Sequence, residues 1–173
     1  DAEKRTVEVA FSSEEPVARW FGWEVLSHQS GACDLSRLND GGAVLFNHDR
    51  DKHIGVVERA WLDADKKGRA LIRFGTSERA AEKWQDVQDG ILRHVSVGYD
   101  IQDMVLDNPE ADYDDYRYIV TNWQAYEISF VTVPADTSVG VGRMADSPET
   151  FVNQPVKPEG NRDMSIENKP AEV

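Results

Sequence analysis

Ile91-Leu-Arg-His-Val-Ser-Val-Gly-Tyr-Asp-Ile101 is the stretch on which the reading of this chain turns. Its residues alternate. Val95, Val97, Tyr99 and Ile101 fall on one face of a strand, and His94, Ser96, Gly98 and Asp100 on the other. A small hydroxyl on a polar strand face, beside a glycine that lets a second backbone approach, is a suitable seat for a nucleophile. Taken singly, such a serine is equally an ordinary polar-face residue.

Upstream of this strand, Ser77 to Gly90 reads as a helix. Thr76 or Ser77 caps it, Glu78 favours its first turn, and Ala80, Ala81, Trp84 and Val87 form one stripe. Gly90 is a fitting stop. Ile54 to Leu62 and Arg69 to Phe74 read as a hairpin around the polar connector Asp63-Ala-Asp-Lys-Lys-Gly68. Residues 4 to 11 read as a first strand. Glu14 to Leu26, with Trp20, Phe21 and Trp23, reads as strand or irregular structure. Leu35 to Gly42 ends in a turn signal, and Ala43-Val-Leu-Phe46 is a short buried strand that delivers Asn47-His48 at its end.

Downstream, Asp107 to Asp115 is an acidic loop. Tyr116 to Val120 and Ala125 to Val133 are two further strands, the second ended by Pro134. The sum is about seven strands and one or two helices, a mostly β (α+β) domain. From Met144 to Val173 the chain carries four of its seven prolines and few large apolar residues. The expected organisation is therefore a folded domain over 1–143 and a flexible tail or linker over 144–173.

Composition narrows the function. With 173 residues and 40% hydrophobic residues, the chain can build one sizeable core. A net charge of −13 argues against a general nucleic-acid binder, which needs a basic surface. The single cysteine, Cys33, permits no internal disulfide, which fits a reducing compartment. No apolar run approaches the roughly 20 residues that span a bilayer, and there is no secretory signal. The chain begins at Asp1 rather than Met, which reads as processing or excision from a longer protein.

A serine hydroxyl needs a base to take its proton, and histidine suits this because its pKa lies near neutrality. The chain has four histidines, His28, His48, His53 and His94. His48 closes an apolar run, so a rigid element holds it. His94 is a rival base, but side chains two apart on a flat strand are separated by about 6 to 7 Å, too far for a direct hydrogen bond. Glu127 interrupts the run Ala125-Tyr-Glu-Ile-Ser-Phe-Val131. It reads either as a solvent-facing residue or as a partner for an imidazole.

His48, Asp49, Asp51 and His53 also invite a metal reading, although their spacing matches no closed zinc pattern. The acidic loop lacks the oxygen-ligand spacing and central glycine of an EF-hand. There is no Gly-rich phosphate loop and no Gly-x-Ser-x-Gly elbow.

Three segments together sharpen these alternatives. Asn47-His48-Asp with His53-Ile-Gly-Val-Val57, then Gly90 to Tyr99, then Tyr126-Glu127-Ile-Ser-Phe-Val-Thr-Val-Pro-Ala135, resemble the prohead proteases of tailed bacteriophages. The resemblance covers roughly Val17 to Arg143. That family is similar in fold to the herpesvirus assemblin proteases, so the resemblance implies a β-barrel of about seven strands with flanking helices. It implies Ser96 as nucleophile, His48 as general base and Glu127 as the third member, with no cofactor and no metal. An oxyanion hole is expected from the loop after Pro134, with Gly140, Gly142 and Arg143.

The implied activity is a serine endopeptidase that cleaves scaffold protein, the capsid protein's extension and its own flanks inside the assembling prohead, in the host cytoplasm. The implied partners are major capsid protein and scaffold protein as substrates, with no specific nucleic acid and no membrane. Trp20, Phe21 and Trp23 offer a surface for a homo-oligomer, although core packing is the commoner fate of such residues. Two other classes stand beside this one: a non-catalytic capsid or scaffold assembly module, and a metal-dependent hydrolase built on His48 and His53.

Overall fold

A computed structural model describes residues 1–142. The expected tail over 144–173 lies outside the described residues. The described residues form one mixed ten-stranded sheet; eight strands follow the order β10-β1-β7-β6-β5-β9-β3-β2, and β4 and β8 each pair with β9 off that path. The strands are β1 (Thr6–Ser12), β2 (Val17–Arg19), β3 (Gly22–Leu26), β4 (Cys33–Asp34), β5 (Ala43–Phe46), β6 (Asp49–Leu62), β7 (Gly68–Phe74), β8 (Val95–Leu106), β9 (Arg117–Phe130) and β10 (Gly140–Val141). Two helices, α1 (Ser36–Asn39) and α2 (Glu78–Gln88), accompany them.

Strand β9 is the hub. It runs parallel to β3, β4 and β5 along one edge and antiparallel to β8 along the other. The sequence pattern divided this segment into two strands, because Thr121-Asn122 looks polar. In the structure β9 runs on unbroken and stays paired with β8 on both sides of register shifts between Ile101 and Met104, and Trp123 in the middle is fully buried. β4 and β10, two residues each, carry no periodicity and had no counterpart in the sequence pattern, while β2 and β3 fall within Glu14 to Leu26, which read as strand or irregular structure. β4 and β10 form on distant partners, β9 and β1, whereas β2 folds back on the adjacent β3.

The strand-rich expectation holds, whereas closure into a seven-stranded barrel does not. β8 pairs only with β9 among the described residues, and β1 meets β8 without a ladder between them. At that seam β10 supplies one link, from the Val141 N–H to the Arg93 carbonyl at 2.9 Å.

The expected hairpin is β6–β7. Its connector folds on itself, with Arg69, 3% exposed, held by Asp63 at 2.9 Å and Asp65 at 2.6 Å. The expected helix is α2, and the Ser77 hydroxyl accepts the Ala80 N–H at 3.3 Å as its cap. Its stripe of Ala80, Trp84 and Val87 lies on the sheet. Trp84 tilts against Phe74 with ring centres 5.2 Å apart, and Phe74 meets Phe130 at 5.3 Å. Each such buried aromatic contributes about 1.5–3 kcal/mol through water exclusion. The aromatic stack fixes the C-terminal end of β9, where the candidate site lies. Gly90, at φ +68°, ends the helical segment and releases the chain into β8.

No helix among the described residues is long and apolar enough to cross a membrane.

Candidate active site

His48 sits in a two-residue turn. Phe46 and Asp49 pair across β5 and β6, leaving Asn47 and His48 between them at φ 54° and 58°. Positive φ at both central positions is the requirement of a type I′ hairpin turn. Asparagine tolerates this conformation well, and histidine adopts it more readily than a branched residue. Three hydrogen bonds tie the turn to β9 and its continuation. The Asn47 N–H donates to the Phe130 carbonyl at 2.8 Å, and the Asn47 side-chain oxygen accepts from the Thr132 N–H at 3.0 Å. The His48 N–H donates to the Ser129 hydroxyl at 3.0 Å.

The turn aims the imidazole at Glu127. His48 Nδ1 lies 2.6 Å from Glu127 Oε1. With the proton on Nδ1, Nε2 is left as the basic nitrogen. The carboxylate is not solvent-facing: Glu127 is 5% exposed, and its Oε2 accepts from the Ser129 hydroxyl at 2.7 Å. Two donors thus satisfy a charge that would otherwise be costly to bury. The hydrogen bond that His48 donates to Glu127 raises the His48 pKa above the ordinary imidazole value, partial burial opposes it, and the carboxylate's charge adds to it.

Ser96 lies on β8 directly opposite Ser129, and Gly98 directly opposite Glu127. Opposed residues of an antiparallel ladder present their side chains to the same face. Ser96, Glu127 and Ser129 therefore share one face, and the absent side chain of Gly98 leaves room for Glu127. The Ser96 hydroxyl has no hydrogen-bond partner among the described residues. Among the described residues no buried polar side-chain atom lacks a partner, so solvent reaches that hydroxyl. It makes no hydrogen bond to His48.

The two residues line adjoining hollows. His48, Glu127, Gly98 and Tyr126 border an open cleft of about 610 Å³. Ser96 borders a smaller hollow of about 50 Å³, and Arg19, Glu24, Val97 and Tyr99 border both. At that shared wall Glu24, 4% exposed, accepts from the Tyr99 hydroxyl and from Arg19 Nε at 3.0 Å.

The remaining sequence expectations fare unevenly. The His94 carbonyl accepts from the Val131 N–H at 3.0 Å, which helps seat the strand before Ser96. His28 joins a separate buried pair, with its Nε2 2.8 Å from the Ser12 hydroxyl. Gly140 and Val141 lie against Arg93, three residues before Ser96, while Arg143 is outside the described residues. The metal reading gains no support. Asp49 pairs with Lys52 at 2.8 Å, and no group of three or more His, Cys, Asp or Glu is arranged for a metal among the described residues. The acidic loop is closed instead by Asn108, whose side chain accepts from the Arg117 N–H at 2.6 Å and donates to the Asp115 carbonyl at 3.0 Å. Ser129 is the member that sequence reading passed over. Its only signal was a shared strand face with Glu127.

The family model of the caudovirus prohead serine proteases matches residues 23–151. The chain belongs to that family. The matched region of this prohead-protease relative contains His48, Ser96 and Glu127. The chain is also 52% identical, over 138 residues, to a protein named major capsid protein from Halomonas phage phiHAP-1. That match covers 78% of this chain and 23% of the capsid protein, so the chain spans about a quarter of that relative's length. No solved structure matches the chain.

Proposed function

We propose that the chain is the proteolytic unit of phage capsid maturation, a serine endopeptidase. The observation that carries this reading is the His48–Glu127 hydrogen bond on the sheet face that also bears the unbonded Ser96 hydroxyl. In the proposed reaction Ser96 Oγ attacks a peptide carbonyl carbon while His48 Nε2 takes its proton. The tetrahedral intermediate collapses as His48 returns that proton to the leaving amine. Water then repeats the sequence on the acyl-enzyme. Glu127 holds the imidazole by Nδ1 and stabilises its positive form. Ser96 and His48 come into hydrogen-bonding reach when a substrate chain fills the hollows they border, since catalytic hydrogen bonds tighten on binding.

The proposed substrates are scaffold protein, the capsid protein's extension and the chain's own flanks, inside the assembling prohead in the host cytoplasm. Family membership and the likeness to a capsid protein several times longer support this setting. They also support a protease carried next to capsid sequence. The contact of β1 with β8 supports reading the sheet as a barrel opened at that seam, in the manner of the herpesvirus proteases.

A second reading is a non-catalytic assembly module. It is favoured by the missing Ser96–His48 hydrogen bond and by the capsid name of the relative. A fluorophosphonate probe separates the two. The protease reading expects labelling of Ser96 that is lost in Ser96→Ala, falls strongly in His48→Ala and survives a chelator. Absence of label on protein assembled into proheads sinks it. Mass spectrometry of the termini of wild-type and Ser96→Ala protein tests self-processing, and identical termini refute it.

A further inference from the structure

Ser129 takes no part in the proposed acyl transfer. Its hydroxyl is fully buried. It meets two groups that belong to different parts of the chain, the Glu127 carboxylate on its own strand and the His48 amide on the β5–β6 turn. The direction of both bonds is settled by chemistry. The backbone N–H of His48 can only donate, so the hydroxyl accepts from it at 3.0 Å. The carboxylate can only accept, so the one hydroxyl proton goes to Glu127 Oε2 at 2.7 Å.

We propose that Ser129 is a positioning residue, a clamp that holds the His48 turn and the Glu127 carboxylate as one unit facing Ser96. This rests on the proposed protease reading. The closed ring runs from the Ser129 hydroxyl to Glu127 Oε2, from Glu127 Oε1 to His48 Nδ1, and from the His48 N–H back to the hydroxyl. It fixes the imidazole at both its backbone and its ring. The hydroxyl also prevents Oε2 from competing with Oε1 for the Nδ1 proton, which sets the carboxylate's rotation. Asn47 anchors its own half of the turn to Phe130 and Thr132, so Ser129 supplies the hydrogen bond that holds the His48 backbone itself, and a shift of about 1 Å at such a site costs on the order of 100-fold in rate. Ser129 cannot itself act as nucleophile here, because its proton is committed to Glu127 and no solvent reaches it.

The test uses Ser129→Ala and Ser129→Thr with two readouts, the kinetics of peptide cleavage or probe labelling and the NMR signals of the His48 ring. In Ser129→Ala, kcat falls about 10- to 100-fold with KM nearly unchanged, as expected when positioning alone is lost. The downfield His48 Nδ1–H signal weakens and the ring's titration midpoint moves. Ser129→Thr keeps the hydroxyl and recovers most of both. Ser129→Cys, a smaller change with a weak donor, replaces it should threonine fail to fold. Wild-type kcat and an unmoved His48 titration in folded Ser129→Ala overturn the proposal. If the wild-type protein neither cleaves nor takes label, the protease reading fails, and the NMR arm still decides whether Ser129 holds His48.

Discussion

Gly98 and Glu127 face each other across the β8–β9 ladder, and a Cβ on Gly98 would fall 2.4 Å from Glu127 Oε1. The oxygen in question is the one that holds the His48 ring. The glycine is therefore required by the space that the carboxylate occupies, not by an unusual φ. Gly98→Ala is expected to push Glu127 off His48. Overpacking should destabilise the fold by about 1–3 kcal/mol. Labelling of Ser96 should fall on the order of 100-fold through misplacement of the pair. Urea unfolding and probe kinetics on one preparation measure both. Near-normal labelling in a destabilised protein would show that Glu127 does not need this position.

The raised pKa of His48 sets a pH dependence. Activity needs the neutral ring, so kcat/KM should rise through a midpoint above the ordinary imidazole value of about 6.5. Glu127→Gln removes the carboxylate that raises it, and the midpoint should move down toward that value with a lower plateau.

Stability follows the opposite sense. A group whose pKa is raised on folding stabilises the protein below its unfolded pKa, and this contribution fades as pH rises through the folded value. The gap in Tm between wild type and Glu127→Gln should thus be wider near pH 5.5 than near pH 8.5, to take about one and a half units either side of neutrality. Calorimetry at the two pH values checks the sign.

Ser96→Ala should separate chemistry from folding. The hydroxyl has no hydrogen-bond partner among the described residues, so its loss should change stability by no more than about 0.5 kcal/mol. Cleavage and labelling should vanish. A large fall in Tm would instead assign Ser96 a structural part.

Phe74→Ala tests the support beneath the site. Phe74 is 2% exposed and touches both Trp84 and Phe130. The substitution should cost about 3–5 kcal/mol by opening a cavity. Since Phe130 adjoins the strand end that carries Ser129, labelling should fall as well, and repacking by Phe74→Leu should restore part of each.

The parts of this molecule that sequence revealed are those with strong local physics. The cap at Ser77 and the stripe of α2 are local, and so is the β6–β7 hairpin with its glycine-ended connector. The Ser96 strand was legible from alternation. The site was legible only as residue types. From residues alone, Glu127 read first as a solvent-facing side chain, and resemblance rather than spacing tied it to His48. Nothing local marks Asn47-His48 as a turn with two positive φ values except the asparagine. Nor does anything mark the bulge opposite Gly98 and Tyr99, where the register skips Tyr126. Ser129 was invisible because its role depends on an amide 81 positions away. The same holds for β4 and β10, which distant partners create.

The hub position of β9 also orders events during synthesis. It is the last long strand to be made, and β3, β4, β5 and β8 all wait for it as their common neighbour. A nascent polypeptide that ends before Arg117 has neither Glu127 nor Ser129 to offer the imidazole. Until nearly the whole sheet has left the ribosome, the ring that joins His48, Glu127 and Ser129 stays unassembled.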